Sequence, residues 1–150
     1  MNVKQVLQQA EKNCHDQGAR LTPKRRYVLE LLLSAEYPLS AYEIASLYQQ
    51  QTEKKIPAMS VYRMLDFLIE QGLVHKLSST NKYIACSHIA CDHDHQTPQF
   101  LICDQCHDVQ EIGIDTRLIT ALKESIAAKQ FQLKSPQLEL HGLCEACRSK

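Results

Sequence analysis

Cys103-Asp104-Gln105-Cys106 and Cys144-Glu145-Ala146-Cys147 each hold two thiols separated by two residues. That spacer lets both sulfurs of a pair reach one ion, and two such pairs supply the four soft thiolates of a closed tetrahedral zinc site. The 37 residues between the pairs, 107–143, would make the metal a long-range staple. A redox dithiol needs only one Cys-x-x-Cys. The second pair therefore favours structural zinc over one redox pair with two bystanders, or over unrelated thiols.

Upstream, Cys86 and Cys91 share a stretch with His88, His93 and His95. The run from Ser87 to His95 is too polar for a core strand and dense in metal-ligand side chains. It reads as part of a second metal site, more exposed and mixed in its ligands. The plainer alternative is a solvated loop that happens to be rich in histidine.

The rest of the chain must position these groups. Its 150 residues suffice for one ordinary domain or two small ones. Hydrophobic residues make up 44 %, with no run approaching eighteen, so the chain reads as soluble and globular and not as a membrane protein. The opening Met1-Asn2-Val3-Lys4-Gln5 lacks the basic-then-apolar pattern of a signal peptide. Seven cysteines, an odd number in paired spacing, favour a reducing compartment, and the expected location is cytoplasmic. Zero net charge conceals an asymmetry: residues 1–82 hold eleven Lys/Arg against eight Asp/Glu, and residues 83–150 six against nine. The first half can face phosphates and the second can bind cations.

Residues 1–82 read as mostly helical. A polar helix is expected over roughly 2–17, ending near Gly18. Thr22-Pro23 opens a second, with Val28, Leu29, Leu32 and Leu33 as its apolar stripe. Pro38 breaks the chain, and Ser40 caps a third helix with Ile44 and Leu47 facing inward. A fourth follows Pro57, carries Val61, Leu65, Leu68 and Ile69 on one face, and closes at Gly72. Leu73–Leu77 and Tyr83–Cys86 then read as short strands around a Ser78-Ser79-Thr80-Asn81 turn. Helices followed by a two-stranded hairpin describe a winged helix-turn-helix, in which the helix before the wing enters the major groove. Its outward face would carry Ser60, Tyr62, Arg63 and Asp66, with Arg63 suited to guanine or phosphate and Tyr62 to a phosphate or thymine methyl. Winged helices also contact proteins, and the pattern alone leaves both readings open.

In the second half, Phe100–Ile102 and Val109–Ile114 read as strands and 115–129 as a helix with Leu118, Ile119, Leu122 and Ile126 at the 3.6 period. Leu133–Leu140 reads as a third strand in which Pro136 implies an edge or a bulge. An α/β unit of about fifty residues is marginal alone, so zinc and a partner subunit are expected to stabilise it. The expected fold class is α+β: an N-terminal winged helix-turn-helix over 1–84, a hinge with metal ligands over 85–97, and a small α/β domain with a four-cysteine zinc site over 98–150.

With these motifs placed, the chain resembles the ferric uptake regulator family over nearly its whole length, and most of all its zinc-uptake branch. The resemblance rests on Arg20-Leu21-Thr22-Pro23, the run Val61–Leu68, Glu70-Gln71-Gly72-Leu73-Val74-His75-Lys76, Ser79-Thr80-Asn81, Ile102–Cys106 and His141–Cys147. It implies a homodimeric, metal-dependent repressor whose C-terminal domain dimerises. The partner would be double-stranded operator DNA, an AT-rich palindrome, with two dimers per operator as a further arrangement. Two Zn²⁺ per subunit are implied, a structural ion on Cys103, Cys106, Cys144 and Cys147 and a regulatory ion on His75, Cys86, Glu111 and one histidine of the 88–95 cluster. The family's histidine position falls on Gln96 here, so His95 is the nearest match and His93 the alternative; His88 and Cys91 have no family role. Arg20, Thr22, Lys24, Ser60, Tyr62 and Arg63 are implied in DNA contact. A further site of iron-sensing relatives uses a histidine where this chain has Leu133-Lys134-Ser135-Pro136, so that site is expected to be missing or incomplete.

A set of two histidines, one cysteine and one glutamate suits zinc, because the thiolate tilts selectivity away from iron and manganese. By the resemblance its ligands come from wing, hinge and dimerisation domain, so binding would preorganise the recognition helices and not act through net charge. An enzyme is disfavoured: no His-Glu-x-x-His and no His-x-Glu with a following Pro-Cys-x-x-Cys occurs. An iron- or peroxide-sensing relative and a zinc-stapled protein-interaction module remain as alternatives, the former weakened by Cys86.

Overall fold

The computed structural model describes residues 2–91 and 98–150. The chain divides into two compact units, Met1–His93 and Asp94–Lys150, and its fold is α+β.

In the first unit, α1 (Val3–Asp16) starts at Asn2, whose side chain accepts from the Lys4 N–H and whose own N–H donates to Gln5 Oε1, completing a capping box. It stops just before Gly18, which turns the chain with φ +74°. α2 (Pro23–Ser34) begins on Thr22, with proline at a position whose missing N–H costs nothing. α3 (Ala41–Thr52) begins on a capping box made by Ser40 and Glu43. α4 (Ala58–Glu70) follows Pro57 and ends before Gly72, where φ is +71°. The wing, β1 (Val74–Leu77) and β2 (Lys82–Ala85), is an antiparallel hairpin with Val74 opposite Ala85. Leu39 exchanges two backbone bonds with Tyr83, and Lys82 Nζ lies 3.3 Å from Glu43, so the stretch before α3 and α3 itself are tied to the wing.

One apolar core holds this unit together. Leu7 and Ala10 of α1, Val28 and Leu29 of α2, Ile44 of α3, and Val61, Leu65 and Leu68 of α4 are almost fully buried and pack with Val74 and Tyr83 of the wing. Burial of each large aliphatic side chain contributes about 1.5–3 kcal/mol. The α4 stripe at positions 61, 65 and 68 therefore fixes which face of that helix points away from the core.

The second unit contains β3 (Gln99–Cys103), β4 (Val109–Ile112), α5 (Thr116–Ala127), β5 (Glu139–Gly142) and the single turn α6 (Glu145–Arg148). Its sheet has the order β4-β3-β5, with β3 antiparallel to β4 and parallel to β5. The strand expected over 133–140 begins only at Glu139. Pro136 has no N–H for a ladder, and the fully buried Gln99 side chain takes the ladder's place: its amide donates to Pro136 O and its carbonyl accepts from Leu138 N. α5 is amphipathic, yet it buries none of its residues.

Candidate metal centres and nucleic-acid face

Parallel pairing brings the C-terminal ends of β3 and β5 side by side, with Cys103 in register with Gly142. Each strand then runs into its Cys-x-x-Cys turn, which is why thiols far apart in sequence converge. The first turn reverses through His107, whose φ is +63°, and the Cys103 N–H donates to Asp108 O at 2.9 Å. The second wraps into α6, which carries Cys147. The four sulfurs lie within 4.8 Å of one another, and Cys106 Sγ is 3.7 Å from Cys144 Sγ. A tetrahedron with Zn–S of about 2.3 Å has edges of about 3.8 Å, so the donor set and its spacing fit that ion. All seven cysteines are thiols, not disulfides. His141 Nδ1 sits 2.8 Å from Asp104 Oδ1, which joins the strand before one turn to the interior of the other.

The thiols are electrostatically unequal. Backbone N–H groups, of Cys106 first and then Cys144, draw the Cys103 thiol down to about 6. Burial first, then the neighbouring cysteines, push Cys147 up to about 12. The Asp108 N–H pulls Cys106 down, but hydrogen bonding to Cys103, burial and hydrogen bonding to Cys144 together outweigh it and leave this thiol raised. A lowered Cys103 beside raised Cys106 and Cys147 thiols is a charge distribution that a divalent soft cation completes.

On the wing, His75 projects from β1 and Cys86 follows β2 directly, where its N–H donates to Leu73 O at 2.9 Å. A His75 ring nitrogen and Cys86 Sγ approach within 4.8 Å. Cys86 is buried, and its sulfur accepts from the His88 N–H at 3.4 Å. Glu111 stands half-buried on β4 opposite Phe100. His88 is half-buried and Cys91 exposed. His93 and His95, both candidates for the remaining ligand, lie outside the described residues.

The expected DNA contacts lie on two elements and the turn before one of them. Arg20 and Lys24 are exposed near the start of α2, and Thr22 Oγ1 caps that helix by accepting from Arg25 N. On α4 the exposed residues are Met59, Arg63, Asp66 and Glu70, whereas Ser60 and Tyr62 are half-buried. The exposed stripe keeps Arg63 and Asp66 of the expected face and adds Met59 and Glu70, while Ser60 and Tyr62, expected outward, flank it half-buried on either side. The reason is tertiary: Tyr62 packs edge-on to the exposed Tyr42 of α3, centroids 6.5 Å apart. The Arg25 guanidinium lies 3.8 Å over the Phe67 ring and donates to Arg20 O, clamping the start of α2 against α4. Sequence periodicity pointed to neither Tyr42 nor Arg25, because both act through contacts between helices.

A winged helix in one unit and a four-cysteine cluster with zinc-site spacing in the other define the class of the protein, a winged-helix protein with a candidate metal centre. The chain belongs to the ferric uptake regulator family, whose profile matches residues 16–141. It is 40 % identical over 146 residues to the zinc uptake regulation protein of Escherichia coli K12, covering 97 % of this chain and 82 % of that one. A solved zinc uptake regulator complexed with zinc and DNA superposes with a TM-score of 0.86 at 36 % identity, covering 99 % of this chain and 97 % of that one. The structure of holo XcZur gives 0.82 at 37 % identity, covering 96 % and 97 %.

Proposed function

We propose that the protein is a zinc-responsive transcriptional repressor that binds operator DNA as a homodimer when its regulatory site holds Zn²⁺, and so controls zinc uptake genes. The observation that carries this reading is the similarity, over almost the whole length of both chains, to a zinc uptake regulator bound to zinc and DNA. The donor chemistry supports it. Cys86 places a soft sulfur beside the His75 imidazole, a combination that favours zinc over iron or manganese.

In this reading the first unit reads DNA and the second dimerises. Two Zn²⁺ bind per subunit, one on Cys103, Cys106, Cys144 and Cys147. The other is assigned to His75, Cys86, Glu111 and His95, with His93 as the alternative, on the family pattern. Bound zinc supplies a cross-link between ligands distant in sequence. Ser60, Tyr62 and Arg63 on α4, with Arg20, Thr22 and Lys24 around the start of α2, hold phosphates and base edges. DNA affinity rises with zinc because the competent arrangement is only fractionally populated without it. The expected site of action is the cytoplasm, and no helix among the described residues is long and apolar enough to cross a membrane.

The test is fluorescence anisotropy of an AT-rich palindromic duplex at fixed salt, titrated with protein at buffered free zinc, with Fe²⁺ and Mn²⁺ in parallel. Tight binding that appears only with trace free zinc is the expected result. A response to iron or manganese instead would move the protein to another branch of the family. Absence of metal-dependent binding to this duplex and to any duplex selected from a random pool would overturn the reading.

A further inference from the structure

We infer that Met59 is a specificity-determining residue that reads the C5-methyl group of a thymine in the major groove, next to the base read by Arg63. The inference rests on the DNA-binding role of α4 proposed above. Met59 is 65 % exposed, and among the exposed positions of α4, namely Met59, Arg63, Asp66 and Glu70, it alone is apolar. These four recur at intervals of four, three and four residues, so they form one straight stripe on the helix face turned away from the core stripe of Val61, Leu65 and Leu68. Met59 leads that stripe as the second residue of the helix. Recognition helices contact base edges chiefly through their N-terminal residues.

The thymine methyl is the one apolar group that base pairs present in the major groove, and an unbranched thioether adapts its shape to such a contact. Arg63 follows one turn later on the same stripe and offers the bidentate donor that guanine requires. Four residues advance about 6 Å along the axis, and base steps are about 3.4 Å apart. The thymine and the guanine should therefore lie within about two base pairs of each other. Tyr62, also proposed above to contact DNA, flanks this stripe half-buried and edge-on to Tyr42, so its contact is separable from that of Met59 by substitution of Met59 alone.

The experiment uses the full zinc-loaded chain and a duplex selected with it from a randomised pool. Each thymine is replaced in turn by deoxyuridine, which removes only the methyl, and each guanine by 7-deazaguanine. The wild type is expected to lose affinity about three- to fivefold at one thymine per half-site, the size expected for one buried methyl group. That thymine should lie within two base pairs of a guanine whose N7 is needed. Met59→Ala should lose the same factor on the unmodified duplex and be indifferent to deoxyuridine there, while keeping wild-type penalties elsewhere. If no thymine shows a penalty, or if Met59→Ala keeps the full wild-type pattern, the inference is overturned while the repressor reading stands. If the pool yields no zinc-dependent ligand, both fall together.

Discussion

At the scale of the residue, the two thiol sets have different consequences when broken. Cys86 is a single buried sulfur following the wing, within 4.8 Å of a His75 nitrogen, at the margin of a core built mainly from aliphatic side chains of four helices. Cys86→Ser is therefore expected to keep its helical circular dichroism and one zinc per chain while losing zinc-responsive DNA binding; normal repression by the mutant would sink the assignment. Cys144→Ser should instead melt the second unit, because structural zinc contributes folding free energy directly. Proton inventory separates the four thiols further. Cys103, lowered to about 6, is already ionised at pH 8, whereas Cys147, raised to about 12, still holds its proton. Zinc needs the thiolate, so loading displaces protons and affinity rises with pH. Calorimetry of the metal-free chain in buffers of different ionisation enthalpy should still detect release at pH 9, above the ordinary thiol value of about 8.5. Disappearance of release by that pH would contradict the raised Cys147.

At the scale of the element, what could be read from the chain followed the range of the interactions. Thr22, Ser40, Gly18 and Gly72 act on backbone within a few residues, and the helices start and stop where those residues stand. The start of β5 was out of reach, since it depends on Gln99, 37 residues from Pro136 along the chain. The half-burial of Tyr62 on the flank of the outward face of α4 was out of reach for a similar reason, because it comes from Tyr42 on another helix. Among the proposed metal ligands, the Cys-x-x-Cys pairs announce themselves by spacing. His75 and Glu111 look like ordinary strand residues, and only the family pattern singled them out. The α3 cap gives a local test. Glu43 is held below the usual carboxylate range first by the Ser40 backbone N–H and then by Lys82. Its contribution is therefore fully present above the unfolded-state value and is lost as pH falls through the lowered folded one. Ser40→Ala should cost about 1 kcal/mol in urea unfolding at pH 7. Combined with Glu43→Gln the loss should be less than additive, because both belong to one box.

At the scale of the whole molecule, the second unit leaves several large apolar side chains in water. Leu118 and Phe131 are 64 % and 65 % exposed, Leu140 and Leu143 48 % and 56 %, and α5 buries none of its residues in a single chain. The amphipathic period of 115–129 was visible in the sequence, but periodicity cannot say whether an apolar face is covered by the same chain or by a second copy. The exposure favours the second copy, in line with the proposed homodimer, and it places the test on α5. Leu118→Glu should leave the zinc of the four-cysteine cluster in place, since Leu118 lies on a helix that contributes no ligand to that cluster. It should shift the protein from dimer to monomer in sedimentation equilibrium and remove the dependence of Tm on protein concentration. DNA affinity should then fall by about a hundredfold or more even with zinc saturating, because two half-site contacts made by linked subunits become one. A Leu118→Glu protein that remains dimeric and binds DNA normally would place the subunit contact elsewhere, and the exposed face of α5 would need another partner.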